Sequence, residues 1–211
     1  MLRALSVAAA LLLLAVLVLP ASAMSFQLLQ SGKGQRAVLA SGEIDPGDAA
    51  GLLAALNLAT RSRNGTKQLL LDSPGGHVDE AFAMADVMDQ VGVSTVVPAR
   101  AMCASACASV LFVSGKYRTI QPGGALVIHS CFDERDGAVM ADCNALIAEH
   151  AQHEGSSGAM MMALQQVAGT HAVLVFTVGG AACFGLTRAP GTSARHVAPC
   201  VAAAERQARG R

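Results

Sequence analysis

Three short segments of the sequence carry residue types that together could hydrolyse an ester or amide bond. Ser105 lies among small residues at the expected start of a helix, His129 ends a short apolar strand, and residues 73–76 read Ser-Pro-Gly-Gly after another strand. A serine hydroxyl becomes a nucleophile when an imidazole within hydrogen-bond reach removes its proton. Backbone N–H groups at a helix start or in a glycine turn can stabilise the oxyanion that forms. The segments therefore indicate acyl-transfer chemistry by a serine and a histidine.

Each segment also has a purely structural interpretation. A serine at a helix start is most often a cap, Ser-Pro-Gly-Gly is an ordinary turn sequence, and a single histidine at a strand end is usually a satisfied polar side chain. Ser109, one helical turn beyond Ser105, is the second candidate nucleophile, but the helix dipole and the free N–H groups no longer help there. The order of the segments and the 24-residue separation of Ser105 and His129 favour that pair.

Alternating apolar patterns predict the elements that must bring these residues together. Strands are expected at residues 37–44, 68–72, 93–97, 119–120 and 125–129, and helices at 48–60, 78–91 and 105–113. Asp45 is expected to cap the first helix. A long helix or helix pair is expected over residues 138–167, and a buried helix or strand over 172–186. Strands that alternate with helices predict an α/β fold with parallel pairing and right-handed crossovers.

The first 23 residues have the pattern of a secretory signal peptide. Arg3 precedes an apolar run at residues 4–19, and the small residues Ala21, Ser22 and Ala23 end the segment. A charged start, an apolar centre and an A-x-A ending are the three parts of such a peptide. The apolar run is shorter than the ~20 residues that span a bilayer. We expect cleavage after Ala23 and a periplasmic or secreted mature chain, which contacts a membrane only if the segment stays uncleaved.

Composition and charge limit the partners. The chain has 15 basic and 15 acidic residues, and removing Arg3 with the signal peptide leaves 14 basic against 15 acidic. The sequence contains no basic block and no cluster of aromatic residues for base stacking, so a nucleic-acid partner is not expected. Residues 24–188 are long enough for one domain with a sizeable core. The Gly/Ala/Arg-rich residues 189–211 are expected to form a flexible C-terminal tail.

All six cysteines follow the predicted signal peptide, in a compartment where disulfides persist. The sequence does not choose among their pairings, although the spacing of Cys131 and Cys143 suits the closure of one loop. Cys103 and Cys107 flank Ser105. They are expected to brace the site, either packed as small apolar residues or oxidised to partners elsewhere in the chain.

A metal site is an alternative use of some of these residues. Cys143, His150 and His153 are spaced so that they share one face of a continuous helix, and His129 and Cys131 could add ligands. Cysteine and histidine are good zinc ligands, but the spacing is not that of a zinc finger, and disulfide formation competes for the thiols. The preferred interpretation has no metal and no cofactor.

Residues 36–186 resemble the proteolytic subunit of the Clp protease and, more closely, exported relatives within the Clp/crotonase superfamily. The family's Asn/Asp-Ser-Pro-Gly-Gly strand end matches residues 72–76, its Ala-Ser-small motif matches residues 104–106, and its Met-Ile-His matches residues 127–129. The separation of Ser105 and His129 is also the usual family spacing. The resemblance implies a single domain built as a Clp/crotonase-type spiral of β-β-α units.

The resemblance also implies roles for individual residues. Ser105 would be the nucleophile and His129 the general base of a serine peptidase. We expect it to be ATP-independent, because the sequence contains no ATP-binding loop and no ATPase partner is expected in the export compartment. The other implied site residues are the backbone donors of the oxyanion hole, Gly75 and Ala106, and two substrate-binding residues, Gly76 and His77. The substrate would be a peptide or protein held by β-addition. Family precedent also implies homo-oligomers.

The sequence departs from the family pattern in two places. The family's third catalytic residue is an aspartate, but residues 171–180 contain no acidic residue and His171 is their only ionisable group. Asp133 is close to His129 in sequence and is the other candidate to orient it. Between Ser105 and Gly115 the chain is one residue longer than the family pattern. An inactive Clp-like binding protein is therefore an open alternative, and a crotonase-like activity on coenzyme A thioesters is a more remote one.

Overall fold

Two β-sheets with helices packed around them form the fold in a computed structural model, which describes residues 24–30, 34–133, 135–168, 173–191 and 200. The predicted signal peptide, His171 and all but four residues of the predicted tail lie outside these described residues. No helix within the described ranges is long and apolar enough to cross a membrane.

The larger sheet has five strands in the order β1-β2-β3-β4-β6. They are β1 (Ser25–Gln30), β2 (Arg36–Ser41), β3 (Lys67–Asp72), β4 (Val93–Val97) and β6 (Arg118–Ile120). Strands β2, β3, β4 and β6 are parallel, and β1 pairs antiparallel with β2. Every residue of β4 is buried, as expected for a central parallel strand that is covered on both faces. Strand β1 was not predicted from the sequence.

The smaller sheet carries the strands nearest to the candidate site, in the order β5-β7-β8. They are β5 (Met102–Ala104), β7 (Ala125–Ile128) and β8 (Leu174–Phe176). Strand β5 is parallel to β7, and β8 is antiparallel to it. The ambiguous residues 172–186 divide into β8 and a short helix, α5 (Val178–Cys183).

The remaining helices connect the strands and cover the sheets. They are α1 (Asp48–Leu58), α2 (Val78–Val91), α3 (Ala141–His153) and α4 (Gly158–Ala168). Helix α2 has the predicted bounds, and the long helical prediction divides into α3 and α4, which pack against each other. The prediction that Asp45 caps α1 is wrong: the cap is Gly47 in the left-handed region at φ 102°. The Asp48 side chain accepts the Asp45 N–H at 2.7 Å instead.

The helix after Ser105 is a π-helix, Cys107–Phe112, and all its residues are buried. A π-helix closes its hydrogen bonds over one more residue than an α-helix and is typical of a single inserted residue, often at a functional site. The π-helix lies in the stretch between Ser105 and Gly115, where one residue more than the family pattern is expected.

Three disulfides join the cysteines in pairs, Cys103–Cys107, Cys131–Cys143 and Cys183–Cys200. The suggested loop closure by Cys131 and Cys143 is found. The expectation that Cys103 and Cys107 pack as free thiols or pair elsewhere is wrong, because they pair with each other across Ser105. The disulfide joins Cys103, in the middle of β5, to Cys107, the first residue of the π-helix.

His150 on α3 links that helix to the end of the π-helix segment. The Ser114 Oγ donates its proton to the Val110 carbonyl oxygen at 2.8 Å. It can therefore only accept from His150, so the His150 Nε2, 2.8 Å away, donates to it. The imidazole also packs edge-on against Phe82, with ring centroids 5.3 Å apart. Burial lowers the pKa of His150 below its usual 6.5. The fold therefore holds this imidazole neutral.

Acidification is expected to destabilise the protein partly through His150. The unfolded chain binds a proton near pH 6.5 that the folded chain resists, so stability is full above that pH and falls as the pH decreases below it. We expect the decrease in Tm between about pH 7.5 and about pH 5.5 to be smaller in His150→Gln by about 2–3 °C. Calorimetry at both pH values measures it. His153→Gln is the matched control, since the His153 side chain is 76% exposed; an equal change in both variants would contradict the assignment.

Candidate active site

Three strand ends meet at the candidate site. Ser73 follows β3, Ser105 follows β5 and His129 follows β7. The Ser73 N–H donates to Met102 at 2.8 Å and the Ser105 N–H donates to the Val127 carbonyl at 2.9 Å, so backbone hydrogen bonds tie the three ends together. Parallel strands end at the same sheet edge, which is where α/β folds place their ligand sites.

A cavity of about 840 Å³ lies over these strand ends. It is lined by every residue proposed from the sequence for the site, namely Gly75, Gly76, His77, Ser105, Ala106 and His129, and also by Ser109. Most of the remaining wall is apolar, with Phe82, Phe132, Met140, Leu146 and Ile147 among its side chains. The volume is within the range of small-molecule and peptide side-chain sites.

Ser105 has an unusual backbone conformation, with φ 54° in the left-handed region. Such a conformation costs of order 1–3 kcal/mol for a non-glycine residue and persists only where its surroundings impose it. The Ser105 carbonyl oxygen accepts both the Ser109 N–H at 2.9 Å and the Ser109 Oγ at 2.8 Å. The Cys103–Cys107 disulfide closes around the same residue. A sharp strand-to-helix turn that exposes a serine is the geometry of a nucleophile elbow.

Gly75 lies directly against Ser105. Its φ is 99°, and a Cβ atom built on it would lie 2.6 Å from the Ser105 Cβ and 2.7 Å from the Ala104 carbonyl oxygen. No side chain fits at that distance from backbone and Cβ atoms. Glycine at this position therefore serves both the left-handed turn and the close approach of two backbones.

The backbone polar groups of the Pro-Gly-Gly turn are divided between the fold and the cavity. The Gly75 N–H donates to Ser73 Oγ at 3.1 Å, and the Gly75 carbonyl accepts the Ile44 N–H at 2.7 Å. The His77 N–H donates to the Ile44 carbonyl at 2.9 Å. Because trans peptides are planar, the Gly76 N–H and C=O point away from Ile44. The Gly75 N–H, which the resemblance implies as an oxyanion donor, is thus already hydrogen-bonded to Ser73 Oγ, whereas the Gly76 N–H is not.

His129 is oriented by the backbone. Its Nδ1 lies 2.7 Å from the Ser130 carbonyl oxygen, which can only accept, so Nδ1 carries the proton. The Nε2 of that tautomer is unprotonated and can accept a proton, as a general base must. The Phe132 ring packs beside the imidazole, with centroids 5.5 Å apart.

No carboxylate takes the orienting position beside His129 among the described residues. Asp133 is paired instead with Arg135, whose Nη2 lies 2.5 Å from Asp133 Oδ2, and this contact holds the pKa of Asp133 below its usual value. Continuing the antiparallel register of β7 and β8, in which Ile128 faces Leu174, sets Val173 opposite His129. The position across the strand pair is therefore a valine, and 55% of its surface is exposed.

The metal alternative loses its thiol ligands in this arrangement. Cys131 and Cys143 form a disulfide with each other, and His150 is hydrogen-bonded to Ser114. Within the described ranges no group of three or more histidine, cysteine or carboxylate side chains could hold a metal ion.

The comparison with known families agrees with this geometry. The model of the Clp protease family matches residues 21–153, more than half of the chain, and the chain therefore belongs to the Clp protease family. The predicted α/β fold of Clp type is thus confirmed, and family membership supports a peptidase-like function. The matched range includes Ser105 and His129 and ends before β8. No curated protein matches the chain.

Proposed function

We propose that the protein is an exported, ATP-independent serine peptidase in which Ser105 is the nucleophile and His129 the general base. The observation that carries the proposal is the left-handed backbone of Ser105 at the edge of a cavity that His129 also lines. Strained backbone of this kind clusters at functional sites. The three disulfides support an oxidising compartment, consistent with cleavage of the predicted signal peptide after Ala23.

In the proposed reaction, His129 Nε2 removes the Ser105 hydroxyl proton as Oγ attacks the substrate carbonyl carbon. The imidazolium then gives that proton to the leaving amine, and water releases the acyl group by the reverse sequence. Ala106 begins the helical segment, where N–H groups have no intrahelical partner, so its N–H supplies one donor to the oxyanion. Gly76 supplies the second, since Gly75 already donates to Ser73. The Gly76 carbonyl remains free to accept an N–H of the substrate backbone.

The cavity wall supports a preference for peptides that combine apolar and basic side chains. Its apolar residues offer a site for one apolar side chain. Four carboxylate residues also line the cavity, Glu43, Asp79, Glu80 and Asp142, whereas no lysine or arginine of the described ranges lines it. Uncompensated negative charge of this kind attracts cationic substrates and repels anionic ones.

A peptide library tests the proposal directly. The exported protein with its disulfides formed is incubated with the library, and products are identified by mass spectrometry. We expect cleavage beside apolar residues, faster when lysine or arginine is near than when glutamate is near, and inhibited by a fluorophosphonate. If no peptide is cleaved and no serine is labelled, the peptidase proposal is wrong.

A non-catalytic binding protein of the same fold is the second candidate. The observation that favours it is the valine at the position facing His129, where a serine peptidase of this type would have its acid. A binding protein would retain selective peptide affinity without cleavage or labelling. Equilibrium binding of the same library therefore separates the two functions.

Restoring a carboxylate beside His129 is expected to increase activity. In Val173→Asp the new side chain lies opposite the imidazole, where directly facing residues have Cβ atoms about 4.5–5.5 Å apart. We expect kcat to increase about tenfold, because a carboxylate stabilises the imidazolium better than a backbone carbonyl does. Val175→Asp, two residues further along the chain and opposite Val127, is the matched control. Equal effects of the two substitutions, or none, would contradict the assigned register.

A further inference from the structure

The first residue after the predicted cleavage site lies in a buried, acidic environment. Met24 is 4% exposed, and its side chain belongs to the main hydrophobic core. Its backbone nitrogen lies 3.4 Å from Asp48 Oδ2. Asp48 is itself 6% exposed and begins helix α1. The first residue of the predicted mature chain is thus held in place by both its side chain and its nitrogen.

Among the described residues, no cation balances the charge of Asp48. The charged groups that act on it within the described part of the chain are Asp45 and Glu80, both acidic. Glu80 Oε1 accepts the Ala49 N–H at 2.7 Å, so it too is fixed at the start of α1. Burial raises the pKa of Asp48 above its usual value. A buried carboxylate with acidic neighbours is costly unless a positive group joins it.

We propose that Asp48 is the binding site for the α-ammonium group that signal-peptide cleavage creates on Met24. Hydrolysis of the peptide bond between Ala23 and Met24 consumes one water molecule and leaves a carboxylate on Ala23 and an ammonium on Met24. The nitrogen that donates to Asp48 as a neutral amide then donates as a cation. The 3.4 Å separation is long for an amide, whereas charge-assisted N–H···O bonds shorten to about 2.7–2.9 Å.

Through this pairing, cleavage of the signal peptide stabilises the folded chain. The ammonium balances the charge of Asp48, whose acidic neighbour Glu80 also lines the cavity. The correctly processed chain is then more stable than one that keeps even two residues of the signal peptide. The inference depends on the proposed export and cleavage, but it does not depend on catalysis by Ser105.

The first measurement identifies the N-terminus. The full chain is produced in a bacterial host, collected from the exported fraction and measured by intact mass. We expect a chain that begins at Met24 and contains three disulfides. A different N-terminus would overturn the proposal whatever the peptidase assay shows.

The second measurement compares two purified forms. One is released from a cleavable fusion so that Met24 is the first residue, and the other keeps Ser22 and Ala23 before it. We expect the extended form to have a Tm about 5 °C lower. In Asp48→Asn the two forms should have the same Tm, because the amide cannot pair with the cation. Asp45→Asn is the matched control and should keep the difference.

Amine reactivity provides a readout that is independent of stability. The Met24 amine should react with a succinimidyl ester about tenfold more slowly in the wild type than in Asp48→Asn, since pairing with the Asp48 carboxylate keeps it protonated. Equal Tm values of the two wild-type forms, a Tm difference that persists in Asp48→Asn, or equal reactivity would each overturn the proposal. None of these outcomes depends on peptidase activity of Ser105.

Discussion

Ser105→Ala is expected to abolish covalent labelling by a fluorophosphonate and to lower peptide cleavage by a factor on the order of 10³ or more. The Ser105 hydroxyl is the only group in the proposed reaction that forms a bond to the substrate. The turn that carries it is fixed by backbone hydrogen bonds to Val127 and Ser109, which an alanine leaves in place. The variant should therefore fold normally, with the Tm of the wild type to within a few degrees.

Ser109→Ala is the matched comparison. Ser109 lines the same cavity, but its hydroxyl already donates to the Ser105 carbonyl oxygen at 2.8 Å and it is only 4% exposed. We expect it to retain labelling, with a rate reduced by less than about tenfold because one contact that holds the turn is lost. Labelling that persists in Ser105→Ala and disappears in Ser109→Ala would reverse the assignment of the nucleophile.

Gly75→Ala is expected to lower the labelling rate about a hundredfold, the cost of displacing a reacting group by about 1 Å. The new Cβ atom would meet the Ser105 Cβ at 2.6 Å and the Ala104 carbonyl oxygen at 2.7 Å, so either the turn or Ser105 must move. Labelling kinetics and a thermal melt, measured on the same preparation, separate a displaced site from an unfolded protein.

A second glycine controls for backbone strain alone. Gly65 also has a left-handed φ, 82°, but nothing lies within 4 Å of a Cβ built on it. Gly65→Ala should therefore lose stability through the unfavourable φ and keep the wild-type labelling rate. If both variants lose labelling equally, the close approach of Gly75 to Ser105 is not what positions the nucleophile.

The Ser130 carbonyl that orients His129 would have a different role in each of the two candidate functions. A backbone carbonyl selects the tautomer with a basic Nε2, as an aspartate would, but it has only a partial charge with which to stabilise the imidazolium. The proposed peptidase is accordingly slow, and Val173→Asp measures how much of the missing rate belongs to that one position. In a binding protein the same carbonyl would only hold the ring against Phe132.

Local patterns were sufficient to predict several features. The apolar periodicity of residues 78–91 and the β-branched run at 93–97 predicted α2 and β4 with their observed bounds, because each buries a regular face against the core. The motifs around Gly75, Ser105 and His129 likewise pointed to one site, through their order and the 24-residue separation of Ser105 and His129. Export was inferred from the order of a charged, an apolar and a small-residue segment.

Other features depend on contacts that are distant in sequence. Strand β1 pairs with β2 and carries few signals of its own, and β5 has only three residues, which is too short for a periodicity to show. The cap of α1 is Gly47 and not Asp45, whose N–H donates to the Asp48 side chain. The pairing of Cys103 with Cys107 follows from a turn between strand and π-helix that no spacing rule anticipates.

The sequence by itself thus determined which residues could react: a serine, a histidine and a glycine turn in a fixed order, on a chain with a predicted export signal. Only the tertiary structure decided how they are held. It holds Ser105 at a left-handed φ against Gly75 and places the Ser130 carbonyl against His129 Nδ1. It also brings Met24 to Asp48. The physical reason is that hydrogen bonding and close packing act between segments that chain order separates, and they are resolved only when the core forms.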